Sequence, residues 1–236
     1  MNKKKINILC TICARGGSKG IKNKNLTPLY KKPLIDYTIS IAKKIKKIDN
    51  IVISSDSKKI LKFGKKKNIK NLILRPKKYS SDNVSKILAI KHALIYTEKL
   101  LNKRFDLIVD LDVTSPLRIK EDIEKAIKKI ASKNNYSKIN LVSANESRSN
   151  PFFNAIKVDK GKVKYISKIG NKIKSRQTAP KVFDLNASVY IWGRKALLNN
   201  NNLINKNTIV YLMPFERSLD IDTSIDLKLV KYLLKK

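Results

Sequence analysis

Residues 6–25, INILCTICARGGSKGIKNKN, gather the residue types that hold a phosphate chain. A mostly apolar run ends at Ala14, and three of the chain's seven glycines, Gly16, Gly17 and Gly20, follow it around Ser18. Arg15, Lys19, Lys22 and Lys24 crowd the same loop, which closes on Asn25. A glycine-rich turn after a buried strand presents backbone N–H groups to anions, and lysine adds compact positive charge. The same letters would serve a tight strand-to-helix turn with its lysines in water. Glycine, serine and lysine together favour the anion cradle. Neither GxxxxGK[ST] nor G-x-G-x-x-G is present, so the loop is not a P-loop or a dinucleotide fingerprint.

A second candidate is SLDIDTSID, residues 218–226. Asp220 and Asp222 alternate in an extended stretch, so both face one way if Ile221 turns inward. Two carboxylates near a phosphate loop make a hard-oxygen site of the kind Mg²⁺ takes. Asp222-Thr223-Ser224, with Asp226 one turn on, would equally cap a final helix. The residues alone leave both open.

Other chemistry is thinner. Cys10 and Cys13 spell C-x-x-C, but inside a strand-like run they point to opposite faces, and there is no second pair to complete a zinc site. They are expected to be buried core thiols. The single histidine, His92, lies in SKILAIKHALIYTEKL and is expected on a helix surface. A histidine-based nucleophile would have to be built on it alone.

The net charge of +35 would ordinarily suggest nucleic acid. Its distribution points elsewhere: 45 of the 53 basic residues are lysine, spread along the chain, as A/T-rich codons would produce. Arginine interleaved with aromatics on one face is missing, so anionic ligands are favoured without a specific nucleic acid. Eight arginines remain, and an arginine kept among lysines suggests a planar contact that lysine cannot make. Arg15, Arg75, Arg118 and Arg176 fall in stretches that stand out on other grounds. No stretch is apolar for long enough to span a bilayer. MNKKKINILCTIC superficially resembles a signal peptide but runs straight into Arg15, so it is taken as a first strand and the protein as cytoplasmic.

The elements that must position these residues alternate. Apolar strand-like runs lie at 6–14, 50–56, 71–74, 105–112 and 138–144, with helical patterns at 33–47, 57–67, 83–101 and 120–133 between them. The expected fold is a single α/β domain, 1–236, with a doubly wound, mostly parallel sheet. Residues 145–180 break the rhythm: NPFFNAIKV and KVKYISKI join at Asp159-Lys160-Gly161 as a projecting hairpin, a lid or dimerisation arm. The alternation resumes with VFDLNASVYIW, TIVYLMPF and a last helix over 224–234. In such sheets ligands bind beyond the carboxyl ends of the strands, and each cluster, including RP at 75–76 and LDVTSPLR at 111–118, follows a strand.

Taken in order, ARGGSKGIKNKN, PLIDYTI, IVISSDS, RPKKYSSDNVS, LDVTSPLR, RQTAPKVFDLNASVYI and DIDTSIDL resemble the acylneuraminate cytidylyltransferases, the CMP-sialic acid synthetases, over nearly the whole chain. The resemblance implies a nucleotide-diphospho-sugar transferase-like fold and transfer from CTP to a nonulosonate with release of pyrophosphate. It also implies Mg²⁺, and a homodimer whose hairpin region reaches the other subunit's site. It assigns Arg15, Gly16, Gly17, Ser18, Lys19, Lys24 and Asn25 to the triphosphate, and Arg75 with SSDNVS, including Ser85, to cytosine and ribose. Asp112, Thr114, Ser115, Arg176 and Gln177 fall to the acidic sugar, Asp220 and Asp222 to the metal. Arg15, Lys19, Lys24 and Asp222 are the expected catalytic set.

Two departures bear on the sugar. Asp112 stands where sialic acid enzymes often carry glutamine, and Phe153 where some carry lysine. With LDVTSPLR and ICARGGSKG, they suggest a legionaminic-type or other bacterial nonulosonate, in place of N-acetylneuraminate, destined for surface glycans such as lipopolysaccharide. The rival readings are a ketodeoxyoctonate-type nucleotidyltransferase and a basic nucleic-acid-binding protein.

Overall fold

The computed structural model describes residues 5–17, 20–81 and 84–235. β1 (Ile8–Cys13) is an interior strand of the main sheet, buried along nearly its whole length as expected of a strand covered on both faces. β1 pairs in parallel with β4 (Asn50–Ser55) and β6 (Leu107–Leu111), and β4 with β5 (Asn71–Leu74). Beyond β6 lie β10 (Phe183–Gly193), β7 (Asn140–Glu146) and β11 (Thr208–Leu212). The seven-stranded order is β11-β7-β10-β6-β1-β4-β5, and β10 runs antiparallel to both its neighbours. The expected mostly parallel α/β sheet is therefore present.

Helices cover both faces. α1 (Leu34–Lys43), α2 (Lys58–Lys66), α4 (Lys120–Ala131) and α6 (Ser224–Leu233) bury Ile35, Ile39, Ile60, Ile127 and Val230 against Ile8, Cys10 and Ile12 of β1. α3 (Lys86–Leu101) and α5 (Arg194–Asn199) pack Ile90, Leu94 and Leu197 against Leu9 and Trp192 on the opposite face. The cysteines divide as alternation requires: Cys10 sits in the first core, and Cys13 packs against the second. Burial raises both thiol pKa values far above the ordinary range, which leaves them inert.

Two small hairpins stand apart. β2 (Pro28–Leu29) and β3 (Lys32–Pro33) lead into α1. β8 (Ile156–Asp159) and β9 (Lys162–Tyr165) form their own two-stranded sheet, every residue exposed. Their turn, Lys160-Gly161, has positive φ at both positions, 46° and 77°, as a two-residue hairpin turn demands.

Candidate active site

The clusters that follow β1, β5 and β6 converge at the carboxyl ends of the strands, around a cavity of about 450 Å³, whereas the cluster after β4 does not line it. Arg15, Gly20, Lys24 and Asn25 line it from the first loop, Arg75 and residues 79–81 from the loop after β5, and Ser85 and Lys86 from the start of α3. Asp112 and Thr114 close the floor, and Asp220 and Asp222 the far wall.

The first loop is fastened to that wall. Lys24 Nζ donates to Asp222 Oδ1 at 2.8 Å. A Cβ at Gly20 would collide with the Asp222 carbonyl oxygen, so the loop passes too close for any side chain. Asn25, buried, holds the loop's shape by donating from Nδ2 to the Arg15 carbonyl at 2.8 Å. Gly16 departs from expectation: its N–H donates to Asp56 Oδ1 at 2.7 Å instead of pointing at a ligand. Gly17 is exposed with open space around it, and Lys22 is exposed as a background lysine would be. Ser18, Lys19, Asp82 and Asn83 lie outside the described residues.

The acidic segment answers the question its sequence left open. Ile221 is fully buried and its N–H donates to the Thr114 carbonyl, which turns Asp220 and Asp222 to one side. The cap of α6 is Thr223, in a reciprocal capping box with Asp226, and not Asp222. Asp222 is thereby left for the cavity. Asp220 Oδ1 is buried without a hydrogen-bond partner, and burial raises its pKa, helped by Asp112 and Asp222. Among the described residues no group of three or more His, Cys, Asp or Glu gathers as a metal cage. Two carboxylates with an orphaned buried oxygen nevertheless fit a magnesium ion, which takes one or two protein carboxylates beside substrate phosphates.

The arginines separate into different tasks. Arg75, buried, is steadied by Ser80 Oγ, which accepts from its Nε at 3.1 Å. Arg118 is structural: its guanidinium donates to the Ser188 carbonyl at 2.7 Å, to Thr38 Oγ1 at 2.6 Å and to the Asp112 carbonyl. Burial pulls its pKa down to about 10. Arg176 and Gln177 are exposed and line a separate cleft of about 530 Å³ with Arg148, Lys181 and Phe215, so one chain does not bring them to the main cavity. Ser115 also misses it, fully buried with its hydroxyl donating to the Asn186 carbonyl. Ser85 lines the cavity while capping α3, its Oγ accepting the Ile87 N–H.

Several cavity features escaped the sequence reading. Lys86 ion-pairs with Asp110 Oδ2 at 2.8 Å and donates to Asp112 Oδ2 at 2.6 Å. The alternating acids of DLD at 110–112 were the available signal. Tyr79 forms a wall stacked on His92, with ring centroids 4.8 Å apart. The histidine is therefore half-buried behind the site instead of on an open helix face; burial, with Arg75 and Lys78, lowers its pKa. A second cavity of about 390 Å³, lined by Ile87, Ile90, Tyr190, Trp192 and Leu203, shares Ser85 and Lys86 with the first. The indole Nε1 of Trp192 is buried there without a partner.

Comparison with known proteins identifies the family and the fold. The family model described as "Cytidylyltransferase" matches residues 9–205. The "Post-translational flagellin modification protein B" of Campylobacter coli is 42% identical over 97% of this chain and 95% of its own length. The "CMP-N,N'-diacetyllegionaminic acid synthase" of Campylobacter jejuni is 39% identical over 96% of this chain and 94% of its own. A solved CMP:2-keto-3-deoxy-manno-octonic acid synthetase complexed with CTP superposes with a TM-score of 0.69 at 15% identity, covering 97% of this chain and 98% of that one. At that identity it shows a shared fold.

Proposed function

The chain belongs to the cytidylyltransferase family, and from that premise we propose that it transfers the cytidylyl group of CTP to a nonulosonic, sialic-acid-like sugar and releases pyrophosphate. The observation that carries the proposal is the union, in one cavity, of Arg15, Lys24 and Asn25 with Asp220 and Asp222, beside a second, mostly apolar cavity. A triphosphate needs the first and an acylated sugar acid suits the second. The 39% identity to a legionaminic acid enzyme, together with Asp112, favours a legionaminic-type sugar.

In this proposal the sugar's anomeric hydroxyl attacks the α-phosphorus and pyrophosphate departs in line, a transfer that depends on positioning and on neutralising charge. Arg15, Lys24 and Lys19 bind the departing phosphates. Arg75, Ser85 and the wall of Tyr79 fix the nucleoside. Asp220 and Asp222 would hold magnesium, which when bound offsets triphosphate charge. Asp112 and Thr114 face the sugar.

Arg176 and Gln177, remote from the main cavity, serve the site of a second copy in a homodimer joined through the β8–β9 hairpin. Ile156, Val158, Val163 and Tyr165 give that hairpin an exposed apolar face. No helix among the described residues is long and apolar enough to cross a membrane. The proposed use of CTP places the work in the cytoplasm, with the CMP-sugar passing to glycosyl transfer onto surface glycans.

Pyrophosphate release with CTP and each of N-acetylneuraminate, a legionaminic-type sugar and ketodeoxyoctonate tests the function. Fastest turnover with the legionaminic-type sugar is expected. Clear preference for N-acetylneuraminate would remove the sugar assignment, and DNA binding without pyrophosphate release would remove the enzyme.

A further inference from the structure

β6, β1, β4 and β5 lie side by side and parallel, so the segments that lead into them meet at one end of the sheet. The cavity opens at the other end, beyond the carboxyl ends of the strands. Lys44, Lys46 and Lys47 lead into β4 and Lys70 into β5, all of them exposed. None makes an ion pair among the described residues. Lys65 and Lys66, in the last turn of α2, are exposed as well.

The two acids of these leading segments are engaged with the fold and offset little of that charge. Asp49 Oδ2 accepts the Ile8 N–H at 2.7 Å, and its Oδ1 lies 3.1 Å from Lys5 Nζ and 3.9 Å from Lys103 Nζ. Asp106 Oδ2 accepts the Asn7 N–H at 2.8 Å. The opposite end differs: Asp112, Asp220 and Asp222 line the cavity there, and Asp56 follows β4.

Codon usage can raise the number of lysines in a chain, but it is indifferent to which end of a sheet they reach. Here uncompensated cations gather at one end and carboxylates at the other. Part of the pattern is local, because a helix C-terminus favours cations, which accounts for Lys65 and Lys66. No such rule covers Lys46, Lys47 and Lys70, which stand outside any helix or strand.

The chemistry of this end suits an anionic plane better than a nucleic acid. Phe105, the aromatic residue of the leading segments, is buried, so no ring is offered to a base. Lysine brings a point charge without the planar fork that reads phosphates and base edges. Four strand starts spaced about 4.8 Å apart make a row about 15 Å wide, across which such charges act together.

We propose that this end of the molecule docks on the anionic headgroups of a lipid bilayer, as a peripheral, salt-sensitive contact that leaves the cavity facing water. Each basic residue held near such a surface strengthens partitioning about fivefold, and the attraction fades within about 10 Å at about 0.1 M salt. No apolar side chain has to enter the bilayer. The proposal goes beyond the transfer reaction and does not depend on it.

Co-sedimentation of the full chain with vesicles tests it. The protein should bind vesicles of phosphatidylcholine containing about one third phosphatidylglycerol, ignore phosphatidylcholine alone, and be released at about 0.5 M salt. The variant carrying Lys44→Gln, Lys46→Gln, Lys47→Gln and Lys70→Gln should lose about a hundredfold in partitioning, with its melting temperature near that of the parent. A control carrying Lys31→Gln, Lys32→Gln, Lys125→Gln and Lys228→Gln removes the same charge from exposed positions elsewhere and should lose less than about threefold. Equal losses in the two variants would mean that net charge alone binds the vesicle, and would overturn the proposal. So would failure to bind the anionic vesicles, or tighter binding to a short DNA duplex than to them at the same salt.

Discussion

Lys24 Nζ stands 2.8 Å from Asp222 Oδ1 across 198 residues of sequence. The two side chains belong to the clusters that sequence reading assigned separately to phosphate and to metal, and the contact makes them one site. The ammonium is 15% exposed and the carboxylate 71%, so the pair contributes only about 0–1 kcal/mol to stability. Its significance is therefore positional.

Asp222→Asn separates the two effects. The amide keeps the shape but cannot carry the charge that a magnesium ion requires, so pyrophosphate release should fall about a hundredfold or more. Thermal unfolding should barely move, because Asp222 neither caps α6 nor enters the core. An unimpaired turnover in the variant would refute the metal role.

Glycine at 20 and glycine at 17 look alike in sequence and differ in the fold. A methyl at Gly20 would strike the Asp222 carbonyl oxygen, whereas one at Gly17 meets open space. Gly20→Ala should cost about 1–3 kcal/mol and disturb the loop's seat against the acidic wall. Gly17→Ala should be within about 0.5 kcal/mol of the parent. Urea unfolding of the two variants side by side gives the answer; equal stabilities would mean that the loop does not close on Asp222.

What could be read in advance was what depends on local period. The run at 6–14 became an interior parallel strand, and Asp220-Ile221-Asp222 alternated as expected, because a buried Ile221 fixes the outer two residues by geometry alone. Strand polarity was less accessible: nothing local in FDLNASVYIWG marks β10 as the antiparallel member, since direction follows from the route of the chain. Lys86 was missed because its partners, Asp110 and Asp112, reach it only once α3 packs onto the sheet. Retained arginine was an ambiguous signal. Arg15 and Arg75 line the cavity, while Arg118 uses the same planar fork to gather two backbone carbonyls and a hydroxyl inside the core.

Acid stability should depend on Glu98. Its Oε1 and Oε2 accept from Nε and a terminal nitrogen of Arg194, both at 2.8 Å, and Oε1 also takes the Phe105 N–H at 3.0 Å. Burial raises its pKa, but these bonds prevail and hold it below the ordinary 4.5. A depressed folded pKa means the stabilisation is complete above the unfolded value and is lost as the pH falls through the folded one. In Glu98→Gln the decline in melting temperature from about pH 6 to about pH 3 should be shallower than in the parent. Parallel curves would show that Glu98 does not titrate with unfolding.

The hairpin gives the last test. Val158 and Val163 face each other across β8 and β9 and are 68% and 64% exposed, flanked on the same face by Ile156 and Tyr165. Apolar side chains so open to water contribute little to a single chain and considerably more to an interface that covers them. Val158→Lys with Val163→Glu should therefore leave the melting temperature of the isolated chain nearly unchanged while converting a dimer to a monomer in light scattering. Because Arg176 and Gln177 line a cleft apart from the main cavity, turnover should fall with dimer content. Mixing this variant with an Arg176→Ala chain that retains the native hairpin should not restore it. A hairpin variant that remains dimeric, or a monomer with full activity, would show that each chain completes its own site.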